Sequence, residues 1–289
     1  MYEYLWFFII YAFFGWCTEV AFAAVDLGKF VNRGFLNGPL CPVYGFGVAA
    51  VISLLTPIQE NKWILFIGAV LVTTAIEFLT GWVLEKIFKQ RWWDYSDIPF
   101  NIKGYVCLKF SVLWGLACLF VMEIVHPGIT HFIAVIPVKI GWVMLVILYL
   151  ILLVDVFATA QTVLKMNKQL EEANRIAVII HSFSDGIGKK ISTNSIKVVS
   201  RLEESKKVTE ELKTNVLSNL KNSKDQLEYL KEQRDKILSK NFFGKNRIIK
   251  AFPQISSSKY KQELEHIKNK IIGSDKNEDK NEDKDEDKL

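Results

Sequence analysis

The sequence predicts an all-α, polytopic membrane protein with five transmembrane helices and a tandem helix–loop–helix repeat, followed by a C-terminal cytoplasmic helical extension. Three observations predict it. Five mostly apolar stretches, at about 4–25, 40–57, 62–88, 105–125 and 132–160, have the roughly 17–25 residues needed to cross about 30 Å of hydrocarbon. Charge divides the chain: residues 1–164 carry nine Lys/Arg against ten Asp/Glu, a net of −1, and residues 165–289 carry twenty-seven against twenty-one, a net of +6. Finally, two segments share a spacing. Glu19 to Arg33 and Glu77 to Arg91 are both fourteen positions, and Gly38 to Cys41 and Gly104 to Cys107 are both three. The organisation that follows is a membrane domain over 1–164, with repeat units at about 4–57 and 62–125 and a fifth span at about 132–160. A cytoplasmic amphipathic region covers 165–272, and a disordered charged tail covers 273–289.

The first span ends near Ala21-Phe22-Ala23, which has the form of a signal-peptide cleavage site. No Lys or Arg precedes the run, Glu3 does, and the run is long, so a retained span is expected. The loop that follows, Asn32-Arg33-Gly34-Phe35-Leu36-Asn37-Gly38-Pro39, is turn chemistry, and Pro39 and Pro42 suit the first turn of a second span. The third span, 62–88, leads to a longer loop holding Trp92-Trp93-Asp94-Tyr95, and His126-Pro127-Gly128-Ile129-Thr130-His131 reads as a turn between the fourth and fifth spans. Lys29 and Arg33 lie in the first loop, Lys86, Lys89, Arg91 and Lys103 around the third, and Lys165 and Lys168 open the tail. Cytoplasmic loops carry the Lys/Arg excess. The expected location is therefore the cell membrane, multi-pass, with the N-terminus outside and the C-terminus cytoplasmic.

Charged residues inside the spans are the candidate site. Glu19 and Glu77 each lie about fifteen residues into a span from its outer end, and Asp155 about fifteen into the core of the fifth span, roughly 22 Å down at 1.5 Å per residue, and Lys109 reaches a similar level from the inside. An ionised side chain facing lipid there costs about 2.5–3.5 kcal/mol even on the gentler scale. A polar pocket of Glu19, Glu77, Lys109 and Asp155 facing the bundle interior is expected. Asp155 and Lys109 read equally well as interfacial groups bending to water, and Glu123, near an outer helix end, reads as interfacial. Gly15, one turn from Glu19, and Thr73 and Gly81, one turn either side of Glu77, allow close helix approach.

At the cytoplasmic mouth, Asn32, Arg33, Asn37, Arg91, Trp93, Asp94, Tyr95 and Asn101 are the candidates. Either the loops are rigid caps, or Arg33 and Arg91 hold an anionic group or pair with Asp94 or Asp97, which a planar guanidinium suits. Trp92, Trp93 and Tyr95 fit an interfacial aromatic belt or a stacking platform. Phe14-Gly15-Trp16 with Glu19, the run Asn32 to Pro39, Pro42-x-Tyr44-Gly45, Trp93-Asp94-Tyr95 and Asn101-Ile102-x-Gly104 resemble the CmpB-type ABC-transporter permease family (ABC-transporter type IV) over about residues 5–125. The resemblance implies a bacterial multi-span permease with no assigned substrate. No GxxxxGK[ST] phosphate loop is present, since Gly186-Ile187-Gly188-Lys189-Lys190 lacks its spacing and hydroxyl, so an ATPase would be a separate chain.

In the tail, the fifth span is expected to continue as a helix to about Ile180 and to break at Ser182–Gly188. An amphipathic helix with Val198, Leu202, Leu212, Val216, Leu220, Leu227, Leu230 and Ile237 follows. It suits a hairpin or a partner protein better than a strict heptad coiled coil. Phe242 and Phe243 among Lys240, Lys245, Arg247 and Lys250 fit an anionic inner leaflet or packing within the tail. A short helix carries Tyr260, Leu264, Ile267 and Ile271 on one face. The expected partners are the lipid bilayer and, through 165–272, a separate ATPase subunit or another cytoplasmic protein. Nucleic acid is not expected, because bases and acids are mixed. Neither are an enzyme activity, a cofactor or a metal site. The spans hold no nucleophile–base pairing, His126 and His131 are too few ligands, and Cys17, Cys41, Cys107 and Cys118 have no metal spacing and read as packing residues.

Overall fold

The structure is a computed structural model describing residues 1–201 and 206–286, with side chains for 1–26, 28–186 and 222–273. It is mostly helical: α1 (Tyr2–Leu27), α2 (Pro42–Leu55), a 3-10 turn (Thr56–Ile58), α3 (Lys62–Phe88), β1 (Asn101–Ile102), β2 (Val106–Cys107) and α4 (Leu108–Phe120). There follow a π turn (Val121–Val125), α5 (His126–Val135), α6 (Val138–Arg201), α7 (Lys206–Ser239), α8 (Lys245–Ala251) and α9 (Lys261–Glu286). Among the described residues, four helical stretches are long and apolar enough to cross a membrane: Tyr2–Asp26, Lys62–Phe88, Leu108–Val135 and Val138–Gly186. Their outer faces expose Phe13, Phe22, Ile67, Leu71, Leu113, Leu116, Val146 and Leu150. Such faces match lipid, where a helix satisfies its own backbone and apolar side chains need no cover.

The chain divides into two units. The first comprises Met1–Lys165, Phe242–Lys259 and Lys270–Leu289, and the second Met166–Asn241 and Tyr260–Asn269. In the first, one apolar core joins Trp6, Phe7 and Tyr11 of α1 to Val51, Ile52 and Leu55 of α2, Leu65 and Ala69 of α3, Cys118 and Met122, Ile129 and Ile133 of α5, and Leu145 of α6. Glycines bring the helices together. A Cβ at Gly45 would lie 2.6 Å from the Phe8 carbonyl oxygen, and one at Gly115 would lie 2.4 Å from Val70. In the second unit, Met166, Leu170, Ala173, Ala177 and Ile180 of α6 are buried at helical spacing, as are Tyr260, Leu264 and Ile267. Gln169 Nε2 donates to the Lys240 carbonyl at 2.9 Å, meeting an acceptor beyond the end of α7.

Several elements differ from the sequence expectation. The turn expected at His126–His131 is helical; α5 begins there and the chain breaks at Ile136-Pro137 instead. Pro127 is tolerated because it sits in the first turn of α5, where the missing N–H has no helical role. The π turn just before it, with the His126 N–H reaching back to the Val121 carbonyl, absorbs the ring. His126 itself bonds Tyr11 Oη at 3.1 Å and stacks edge-on to Phe7. The expected start of the fourth span, at 105, is instead part of a two-stranded hairpin pairing Ile102 with Val106. The helical backbone of α6 runs through Ser182–Gly188 to Arg201; a mid-helix glycine costs only about 1 kcal/mol. Glu123, expected at the outer interface, pairs with Lys62. Of the stretch expected to be disordered, 273–289, the backbone to Glu286 is helical as part of α9 and residues 287–289 lie outside the described residues; the apolar side chains of Val198, Leu202, Leu212, Val216 and Leu220 also lie outside them.

The boundary at Ile136 is testable by cysteine labelling in a chain whose four native cysteines are replaced. Ile133→Cys, at a position only 3% exposed, should react with a membrane-impermeant maleimide at least tenfold more slowly than Lys139→Cys. Equal rates would return 126–135 to a loop.

Candidate functional site

The first loop is built on Gly15. A Cβ there would lie 2.3 Å from the Tyr44 ring, so only glycine lets Tyr44 of α2 lie across α1 and donate its hydroxyl to Glu19 Oε1 at 2.6 Å. Arg33 Nε approaches the other oxygen of Glu19 at 3.4 Å, both side chains about 30% exposed, with its guanidinium 5.1 Å from the Phe22 ring centre. Asn32 organises the turn. Its Oδ1 accepts from Trp16 Nε1 at 2.7 Å and from the Gly34 N–H at 3.1 Å, and its Nδ2 donates to the Asn37 carbonyl at 2.8 Å.

Asp155 of α6 completes the loop. One carboxylate oxygen accepts from the Asn37 N–H at 3.0 Å and Asn37 Nδ2 at 2.9 Å, and the other from the Gly38 N–H at 2.6 Å. Thr159 accepts from Asn37 Nδ2 at 2.9 Å. From the opposite side comes Arg247 of α8. It donates Nη1 to the Gly34 carbonyl and Nη2 to the Phe35 carbonyl, both at 2.8 Å, and Nε to Asn37 Oδ1 at 3.1 Å. Burial pulls the Arg247 guanidinium below its ordinary range, opposed by the charge of Asp155.

The second loop is anchored differently. Arg91 Nε pairs with Glu85 Oε2 at 2.9 Å, its Nη1 reaches Asp94 at 3.3 Å, and its plane lies over Tyr105. Burial works against that charge, but Glu85 and Asp94 hold the guanidinium above its ordinary range. Asp94 is held low by Ser96 and Arg91 despite its partial burial. Gly104 closes the hairpin at φ +73°, where a Cβ would also stand 2.3 Å from Asp94 Oδ1. Asn101 ties the loop together, donating to the Ser96 and Ile98 carbonyls and accepting from the Gly104 N–H at 3.1 Å. Tyr95, stacked on Phe110 at 4.9 Å, directs its hydroxyl to Glu77 Oε1 at 3.2 Å. Burial, then the charge of Glu77, push its phenol well above the ordinary value, so it remains a donor. The Tyr95 hydroxyl also lies within electrostatic reach of Glu19 and Tyr44.

A strap, Phe242–Lys259, joins the loops. Arg247 holds the first; Ser256 forms two backbone hydrogen bonds with Arg91, and the Ser257 hydroxyl donates to the Lys89 carbonyl. Phe252 meets Trp92 edge-on at 5.0 Å, and Trp92 meets Phe35 of the first loop at the same distance. Ile248, Ile249 and Ile255 are fully buried.

The candidate residues are thus distributed as follows. Glu19 and Arg33 form one pair, with Asn32 and Asn37 beside them. Asp155 binds the first loop, and Arg91, Asp94 and Asn101 build the second, with Tyr95 on Glu77. Matched spacing did not translate into matched pairing: Arg91 is held by Glu85, six residues away. Lys109 is exposed, with its ammonium 5.7 Å from the Phe110 ring centre. Trp92 is 4% exposed and Trp93 Nε1 donates to the Tyr105 carbonyl at 2.8 Å, so both are packing residues of the loops. Sequence reasoning missed the roles of Tyr44, Glu85 and Tyr105. Tyr44 lies in the Pro42-x-Tyr44-Gly45 motif; Glu85, six residues before Arg91, was the available signal for the pairing. Nothing local marks Arg247 as a loop anchor, since its partners are more than 200 positions away.

Four long apolar helices carrying two bonded loops define a multi-pass membrane protein. The model of the family described as "Putative ABC-transporter type IV" matches residues 6–160, just over half of the chain, and the chain belongs to that family. No curated protein and no solved structure matches it.

Arg247→Ala should free the strap. Removing three charge-assisted bonds, each contributing about 1.5–3 kcal/mol, should raise limited proteolysis within 242–259 at least tenfold. Arg247→Lys should rescue poorly, because an ammonium cannot span three acceptors in one plane. Unchanged cleavage in Arg247→Ala would contradict the assignment.

Proposed function

We propose that this chain is the membrane-embedded, non-enzymatic component of a transporter, working with an ATPase on a separate chain. The observation that carries the reading is the two carboxyl–phenol contacts, Glu19–Tyr44 and Glu77–Tyr95, each between a long apolar helix and the polypeptide that follows it. Two acidic groups drawn from two spanning helices toward one polar cluster suit a path for a polar or charged solute, with Arg33 and Arg91 near its mouth. Family membership supports the same reading.

The topology proposed is five crossings with the N-terminus outside and the C-terminus inside the cell membrane. Both loops bond to the strap, which favours placing them on one side together with the tail. The segment between α1 and α3 must then return across the bilayer. Fourteen α-helical and three 3-10 residues extend about 27 Å, close to the ~30 Å required. The helix pairs α1–α2 and α3–α4 enclosing these loops are the two units of the proposed repeat.

A second reading has its own support. The strap is covalently continuous at both ends with the helices of the second unit, so a protein recruited by those helices would act on both loops. In that case the chain is a scaffold, and the membrane cluster is structural.

Purification in mild detergent followed by identification of bound proteins separates the two. The transporter reading expects an ATPase bearing a phosphate-binding loop, retained when Glu19→Gln and Glu77→Gln abolish solute movement in vesicles. Repeated recovery of other proteins without an ATPase would favour the scaffold.

A further inference from the structure

Glu77 lacks what Glu19 has. Glu19 accepts a phenol hydroxyl and also meets a guanidinium. Glu77 accepts from Tyr95 through Oε1, but its Oε2 is buried with no hydrogen-bond partner among the described residues. The arginine at the matching spacing, Arg91, is occupied by Glu85 and Asp94. One turn earlier on α3, the Thr74 hydroxyl is also buried without a partner. Residues three apart on a helix have Cβ atoms about 5–6 Å apart, so Thr74 and Glu77 are neighbours on one face of α3.

An ionised carboxylate so placed carries the full cost of leaving water, with one neutral hydrogen bond and no cation to offset it. A proton on Oε2 removes the charge and turns an acceptor without a donor into a donor, and Thr74 Oγ1 is then available to accept. We propose that Glu77 is a proton-binding site: it holds a proton from the aqueous phase on Oε2 in the resting protein, with Tyr95 and Thr74 as its neutral partners. The two acidic positions are then chemically distinct, one an ion pair and the other an acid able to give up and regain a proton. Among the described residues the titratable group in contact with Glu77 is Tyr95 of the second loop. Glu19 from α1, Tyr44 from α2 and Cys107 from the hairpin lie within electrostatic reach of Tyr95, Arg91 is engaged by Glu85 and Asp94, and Lys109 of α4 is exposed. The inference rests on reading this cluster as facing the bundle interior and deepens it by naming the proton as an ion bound there.

The test is infrared spectroscopy on the full-length chain in lipid nanodiscs, which does not involve transport or an ATPase. At neutral pH the wild type should show the carbonyl stretch of a protonated carboxylic acid, shifting in D2O and vanishing as the pH is raised. Glu77→Gln should abolish that band and Glu19→Gln should leave it. Tyr95→Phe, which removes the donor to Oε1, should displace it and reads the same group should Glu77→Gln fail to fold. Absence of the band from the wild type at neutral pH, its survival in folded Glu77→Gln, or an undisplaced band in Tyr95→Phe would each overturn the proposal.

Discussion

Everything at the loop end of the membrane unit depends on the Asp155 carboxylate. The segment Asn32 to Pro39 is non-helical backbone, half-buried against the long apolar helices, and each N–H buried there without a partner costs about 1–3 kcal/mol. Asp155 takes the two amides that the turn leaves over, at Asn37 and Gly38, and the Asn37 side chain besides. Arg247 takes the carbonyls that point the other way. One anion and one cation thus supply complementary halves of the loop's backbone requirement. Asn37, whose amide donates to Asp155 and accepts from Arg247, is the residue through which they act together.

That arrangement explains why a tail segment belongs to the membrane unit. The strap is anchored through hydrogen bonds to backbone atoms of the loops, through Trp92 wedged between Phe35 and Phe252, and through buried isoleucines. These are contacts of protein interior. The basic and aromatic composition of 240–253, which also suits an anionic membrane surface, is spent largely on the loops: Arg247 bonds them and Phe252 packs on them, while Phe243 is exposed.

How much was legible follows from whether the signal was local. Apolar runs mark the four long helices, because lipid demands apolar residues over a fixed length. The turn residues of Asn32–Pro39 mark the first loop. Arg91 with Asp94 was among the pairings expected from charge, and it forms; Arg33 with Glu19 was not among them. The rest of the second loop was less legible: Glu85, six residues before Arg91, also holds it, and Tyr95 bonds Glu77, contacts that neither the loop's own charges nor the repeat spacing marked. Pro127 and Gly128 resembled a turn because the π turn that accommodates proline in a continuing helix leaves little trace in composition. The roles of Asp155 and Arg247 were hidden for another reason, since their partners are more than 100 positions distant in the chain and only the assembled fold brings them together.

The most direct check on the clamp is a double-mutant cycle between Asn37→Ala and Asp155→Asn, read as unfolding free energy of the full chain in detergent. Groups sharing one hydrogen-bond network couple by about 0.5–3 kcal/mol, and the clamp predicts a coupling in that range. Additive effects, agreeing within about 0.5 kcal/mol, would mean that Asp155 and the loop are energetically independent and would contradict the account.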